Sequence, residues 1–109
     1  MFKIAPEKTF KHKVTAMVPV DGGHSAEPFE ATFRVLDPAE ADKFDLNTTE
    51  GATQFLRAVI VRLDDISDAE GNPVEWNDET RDAVLRLPYA RIALNAAYWQ
   101  AVSKARAGN

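Results

Sequence analysis

Apolar residues recur at every second position through the first third of the chain. Phe10, Val14, Ala16, Val18 and Val20 alternate with Lys11, Lys13 and Thr15, and Phe29, Ala31, Phe33 and Val35 alternate with Glu30, Thr32 and Arg34. Alternation of this kind puts the apolar set on one face of a pleated strand, so two runs, about 10–20 and 29–36, read as an antiparallel hairpin. Asp21 to Pro28, rich in turn-formers, reads as the loop between them. With Val20 opposite Phe29, the pairs Val18–Ala31, Ala16–Phe33 and Val14–Val35 follow, and every apolar side chain lands on one face. Pro19 lacks a donor and marks its strand as an edge. Phe2 and Ile4 have the spacing of a short third strand.

From Asp37 the period becomes helical. Asp37 can cap a short helix over about 38–45, with Pro38 at its first position. Asn47-Thr48-Thr49-Glu50 reads as a capping box in which Asn47 caps and Glu50 reaches back. The helix it opens, about 48–64, carries Phe55, Leu56, Val59, Ile60 and Leu63 on one stripe. Asp64 to Trp76 is a polar break that turns at Gly71-Asn72-Pro73. Asn77 caps a third helix over about 78–87, with Asp78 and Glu79 in its positive first turn. Pro88 closes that helix by disfavouring the helical conformation at Leu87. The Ala-rich text from Tyr89 to Arg106 predicts a last helix, thin enough for another helix to approach closely, with Gly108 beyond it. A lone hairpin is marginal in water, so the helices must cover its apolar face. The expected fold is α+β, a single domain over 1–109.

Charge and composition narrow the function more than the fold. The 109 residues carry 13 basic and 17 acidic side chains, a net charge of −4, which speaks against nucleic acid as the main partner. There is no Cys, which removes disulfides, thiolate metal sites and thiol catalysis together. The N-terminal text MFKIAPEKTFKHKV has no apolar core of the signal-peptide kind, and no window approaches a membrane span. A soluble protein that stays where it is made is expected.

The search for chemistry finds no catalytic set. His12 lies among lysines and His24 beside glycines, with no spacing that brings further metal ligands to either. Ser25, Ser67 and Ser103 lack any nucleophile signature. Placing Gly71 at the sixth position of a calcium loop puts Ile66 at the first, where a carboxylate is needed. Asp21-Gly22-Gly23 lacks the Lys and Ser/Thr of a phosphate loop. No enzyme, cofactor or metal is expected. The acid is nevertheless concentrated: from Asp64 to Asp82 eight carboxylates face Arg81 alone, a net −7. Asp64, Asp65, Asp68, Glu70 and Glu75 form a candidate acidic surface, read either as a solvated loop or as a selector of basic partners.

Aromatic residues give the remaining signal. Trp76 precedes a helix cap, Tyr89 opens the last helix, and Tyr98-Trp99 sits on it as an adjacent pair, about 100° apart around the axis. Ile92, Ala96, Trp99 and Val102 share a stripe that favours Trp99 as the inward ring, and Tyr98 follows Leu94, Ala101 and Ala105. Two readings stand. Both rings bury in the core, or the helix offers a second apolar face to another protein. On the second reading Trp76, Tyr89, Leu94, Tyr98, Trp99 and Ala101 are the candidate partner-binding residues.

The order of these features resembles the small tail assembly chaperones of long-tailed bacteriophages and prophages. A β-rich start with Phe33-Arg34-Val35-Leu36 leads to FLRAVIVRLDDI, then DAEGNPVEWNDET, then VLRLPYARIALNAAYWQAVSKARAGN. Ile66, Asp68, Gly71 and Pro73 match that family's turn, and Leu87-Pro88 its helix stop. Ala93, Leu94, Ala97 and Tyr98 match its last helix, and Arg106 and Asn109 its terminus. The likeness covers about residues 29–109. It implies a non-catalytic protein of virion assembly that acts in the host bacterial cytoplasm. Its partners would be the tape measure protein and the tail tube protein, and it would be absent from the mature virion. Apart from the resemblance, self-association into a homo-oligomer stays open. A structural tail or head–tail joining component is the alternative.

Overall fold

The structure, a computed structural model, describes residues 1–4 and 7–103. Its elements in chain order are strands β1 (Thr9–Val20) and β2 (Gly23–Arg34), helices α1 (Pro38–Ala41) and α2 (Thr49–Val59), strand β3 (Ile60–Asp64), and helices α3 (Asp78–Leu85) and α4 (Pro88–Val102). The strands form one antiparallel sheet in the order β1-β2-β3, and the helices pack with it in an α+β fold.

The hairpin is there, with a different register. Val14 pairs with Phe29, Ala16 with Glu27 and Val20 with Gly23, so β2 begins at Gly23 and the expected loop 21–28 is mostly strand. The reason is local: Asp21-Gly22 alone makes the connection, and Gly22 supplies a φ of +77° that side-chain-bearing residues rarely adopt. The shift keeps parity. Val14, Ala16, Phe29, Ala31 and Phe33 all remain on the buried face. Beyond Ala16 and Phe29 the hairpin is exposed, apart from half-buried Val18 and Ser25.

The third strand is not at Phe2 and Ile4, which are exposed and outside any strand. It is β3, from text expected to continue the helix after Val59. Ile60 ends α2 with an extended backbone, φ −82° and ψ 119°. Along β3, Phe33 pairs with Ile60 and Ala31 with Leu63, so the register slips by one residue between Thr32 and Phe33. That bulge turns Ile60 and Leu63, three apart, to the same face. A bulged strand thereby imitates helical spacing, and all five residues of the expected stripe are buried as foreseen.

The caps hold two of the helices as expected. Asp37 Oδ1 accepts from Ala39 N at 2.8 Å above Pro38, although α1 ends at Ala41. Asn77 Oδ1 accepts from Thr80 N at 2.8 Å at the start of α3. The cap of α2 is Thr48 instead of Asn47: its Oγ1 accepts from Gly51 N at 3.0 Å, and Asn47 N donates to Asp45. Pro88 is the first residue of α4, and the expected helix beyond Ser103 lies outside the described residues.

Phe33, Phe55, Leu56, Leu85, Leu94, Val14 and Val59 are the fully buried large side chains. At their centre the Tyr98 ring lies 5.5 Å from Phe33 and 5.4 Å from Phe55, both edge-on. Tyr98 is also 6.4 Å from Phe10, near the start of β1, while Tyr89 lies beside Met17 and Pro19 at its other end. Helix α4 therefore runs antiparallel to β1 along the side of the sheet that has no further strand among the described residues.

Candidate partner-binding groove

Between α4 and β1 lies a groove of about 710 Å³. One wall is Thr15, Met17 and Pro19 of β1 with His24 of β2, and the other is Pro88, Tyr89, Ile92, Ala93 and Ala96 of α4. The helix positions are spaced by three and four and fall on the flank beside Ala90, Leu94, Ala97 and Tyr98, which face the core, with half-buried Ala93 at the boundary between the two. Apart from His24 and Tyr89 no titratable side chain lines it. Ile92 is 71% exposed and Met17 51%, side chains that a folded protein commonly buries. An arrangement like this can exclude water around an apolar segment.

The last helix is the reverse of the expectation for its adjacent rings. Tyr98 is the inward one, 3% exposed, and Trp99 is 38% exposed. Trp99 lies flat on Phe55, ring centres 5.5 Å apart and 6° from parallel, and its Nε1 donates to Asn95 Oδ1 at 3.2 Å. The stripe Ile92, Ala96, Trp99 and Val102 is the outer one, and Leu94, also fully buried, belongs to the core with Tyr98. Leu94 and Tyr98 therefore present no surface to a partner. Of the other expected contact residues, Tyr89 lines the groove, Ala101 is half-buried, and Trp76 sits apart. Met17, Pro19 and Ile92 were not foreseen as contacts. Both sides of α4 are apolar, so periodicity could not choose between them, and Met17 stands in a strand face otherwise rich in lysine.

The acidic segment is partly accounted for by its own folding. Asp68 Oδ1 accepts from Glu70 N at 3.0 Å and Asn72 N at 2.9 Å, and Val74 N returns to Ile66 O, so the segment folds back on itself at Gly71, φ +86°. The Asn72 N–H, before the other contacts, holds the Asp68 carboxyl below its ordinary pKa. Asp64 pairs with Arg62 at 2.8 Å. Asp65 has a φ of +63°, and Asp65, Glu70 and Glu75 are exposed. Trp76 and Asp64 border a separate hollow of about 390 Å³. Among the described residues no group of three or more His, Asp or Glu could hold a metal ion, and no helix is long and apolar enough to cross a membrane.

No family model, no curated protein and no solved structure matches this chain.

Proposed function

We propose that this protein is a non-catalytic binding module of the phage tail assembly chaperone kind, which holds an apolar helical segment of a tape measure protein until tail tube subunits replace it. The observation that carries the reading is the groove between α4 and β1, where Ile92 and Met17 stand exposed and no Asp, Glu, Lys or Arg lines the walls. Covering each of these two would contribute on the order of 1–2 kcal/mol, before the entropy of association. The sequence likeness adds the client: Leu87-Pro88 stands where α3 gives way to α4, and Ala93 of the matched helix text lines the groove. Exposed Asp65, Glu70 and Glu75 keep the complex soluble and draw in basic client segments. The protein acts in the host bacterial cytoplasm and leaves before the particle is finished.

Co-expression tests this. The soluble fraction of the tape measure protein from the same genome should rise, and the two should co-purify. Unchanged solubility with no co-purification would sink the reading. Mass spectrometry of purified particles should find the chain missing or scarce, and a stoichiometric amount would favour a structural tail or head–tail joining component.

A further inference from the structure

We infer that the hollow where the hairpin outruns its helical cover seats one arginine side chain of another polypeptide, its guanidinium between Glu27 and Asp65. The hollow measures about 250 Å³. Val18 and Phe29 of the sheet form one wall, and Val84, Leu87 and Ala90 at the α3–α4 corner form the other. Phe29 and Ala90 are buried, Val18 is half-buried and Leu87 is 39% exposed, so the walls run from dry core out to water. Small-molecule pockets begin at about 300 Å³, and a space below that size suits a single side chain.

Charge selects the occupant. Glu27 belongs to β2 and Asp65 follows the end of β3, and both line the hollow while exposed to solvent. Among the described residues no Lys, Arg or His lines it. Neither carboxylate has an ion pair among the described residues, whereas neighbouring Asp64 is held by Arg62. Two unpaired anions beside an apolar wall fit a cation that carries its own hydrocarbon. An arginine stem can cover Val18 and Leu87 while its head stays at the wet rim. The guanidinium is weakly hydrated and spreads five donors over a planar fork, so one head can serve carboxylates on two separate segments, which a compact ammonium does less well. The apolar walls also lower the local dielectric, which strengthens the attraction relative to open surface.

The site goes beyond the groove and its client, and its test needs neither, so each can fail while the other holds. Titrating the full chain with Nα-acetyl-arginine amide, followed by heteronuclear NMR, should shift the backbone amides of Glu27, Phe29, Asp65 and Ala90. Nα-acetyl-citrulline amide, of nearly the same shape without the charge, should bind about fivefold more weakly. Glu27→Gln with Asp65→Asn should erase that preference. Both positions are exposed, and asparagine tolerates the φ of +63° at residue 65. If the paired variant fails to fold, salt decides on the wild type: added salt should weaken the arginine probe and leave the citrulline probe unchanged. No shifts at these amides, equal binding of the two probes, a preference that survives in the paired variant, or an arginine affinity indifferent to salt overturns the inference.

Discussion

The hydroxyl of Tyr98 accepts the backbone N–H of Leu36 at 3.3 Å, across 62 residues of chain. One side chain thus closes the aromatic core and ties α4 to the segment leaving β2. Tyr98→Phe keeps the ring and leaves the half-buried N–H without its acceptor, which should cost about 1 kcal/mol. Tyr98→Ala also empties the space between Phe33 and Phe55 and should cost about 3–5 kcal/mol. Urea unfolding of the two variants checks this ordering. An alanine variant as stable as wild type would mean that Tyr98 is not the core residue its burial indicates.

Such burial was legible in the sequence where parity alone decided it, and illegible where two patterns coincided. Val14, Ala16, Phe29, Ala31 and Phe33 could face the core in any register that preserved parity, so their burial survived a six-residue error in pairing. The error arose because Gly23 to Pro28 contains turn-formers, while in the fold it pairs beyond the core and needs no apolar pattern. Ile60 and Leu63 were read as helical because the bulge opposite Thr32 and Phe33 reproduces a spacing of three. Tyr98 and Trp99 could not be ordered because both flanks of α4 are apolar, and only Phe33 and Phe55, distant in sequence, settle which ring turns inward. For the same reason the groove was not visible beforehand: it needs Met17 and Ile92 in one place.

Gly51 offers a test of close approach. It lies in the first turn of α2, where alanine ordinarily stabilises by up to about 1 kcal/mol. Here a Cβ would overlap the Asp45 carbonyl and crowd Thr48 Oγ1, the capping oxygen. Gly51→Ala should therefore destabilise by roughly 1–3 kcal/mol, against the propensity trend. Thermal melts decide, and a raised melting temperature would show that the turn before α2 yields easily.

The two flanks of α4 should respond oppositely to the same change. Ile92→Ala removes an exposed side chain and should alter stability by no more than about 0.5 kcal/mol while weakening client capture. Leu94→Ala opens the core and should cost about 2–5 kcal/mol, with capture per folded molecule unchanged. Pull-down normalised to the folded fraction separates them. If both variants lose capture only in proportion to unfolding, the groove is not where the client sits.

Acid should loosen the contact between α2 and α3. Asp82 Oδ1 on α3 accepts from Arg57 Nε on α2 and from its neighbour Arg81 Nε, each at 3.1 Å. The Arg81 hydrogen bond, then the charges of Arg81 and Arg57, hold the Asp82 carboxyl below its ordinary pKa. A carboxylate depressed in the native state takes up a proton more readily when unfolded, so it contributes stability above the unfolded value of ~3.9 and loses it as pH falls through the native value. Asp68 acts in the same direction through the Asn72 N–H. Asp82→Asn removes one such group and should lose less stability than wild type between about pH 6 and pH 2, a difference that shrinks in high salt because the pair is partly exposed. Urea midpoints at both ends of that range give the measurement. Equal acid losses in the two proteins would show that the carboxylate, though bonded to both arginines, does not couple the helices to pH.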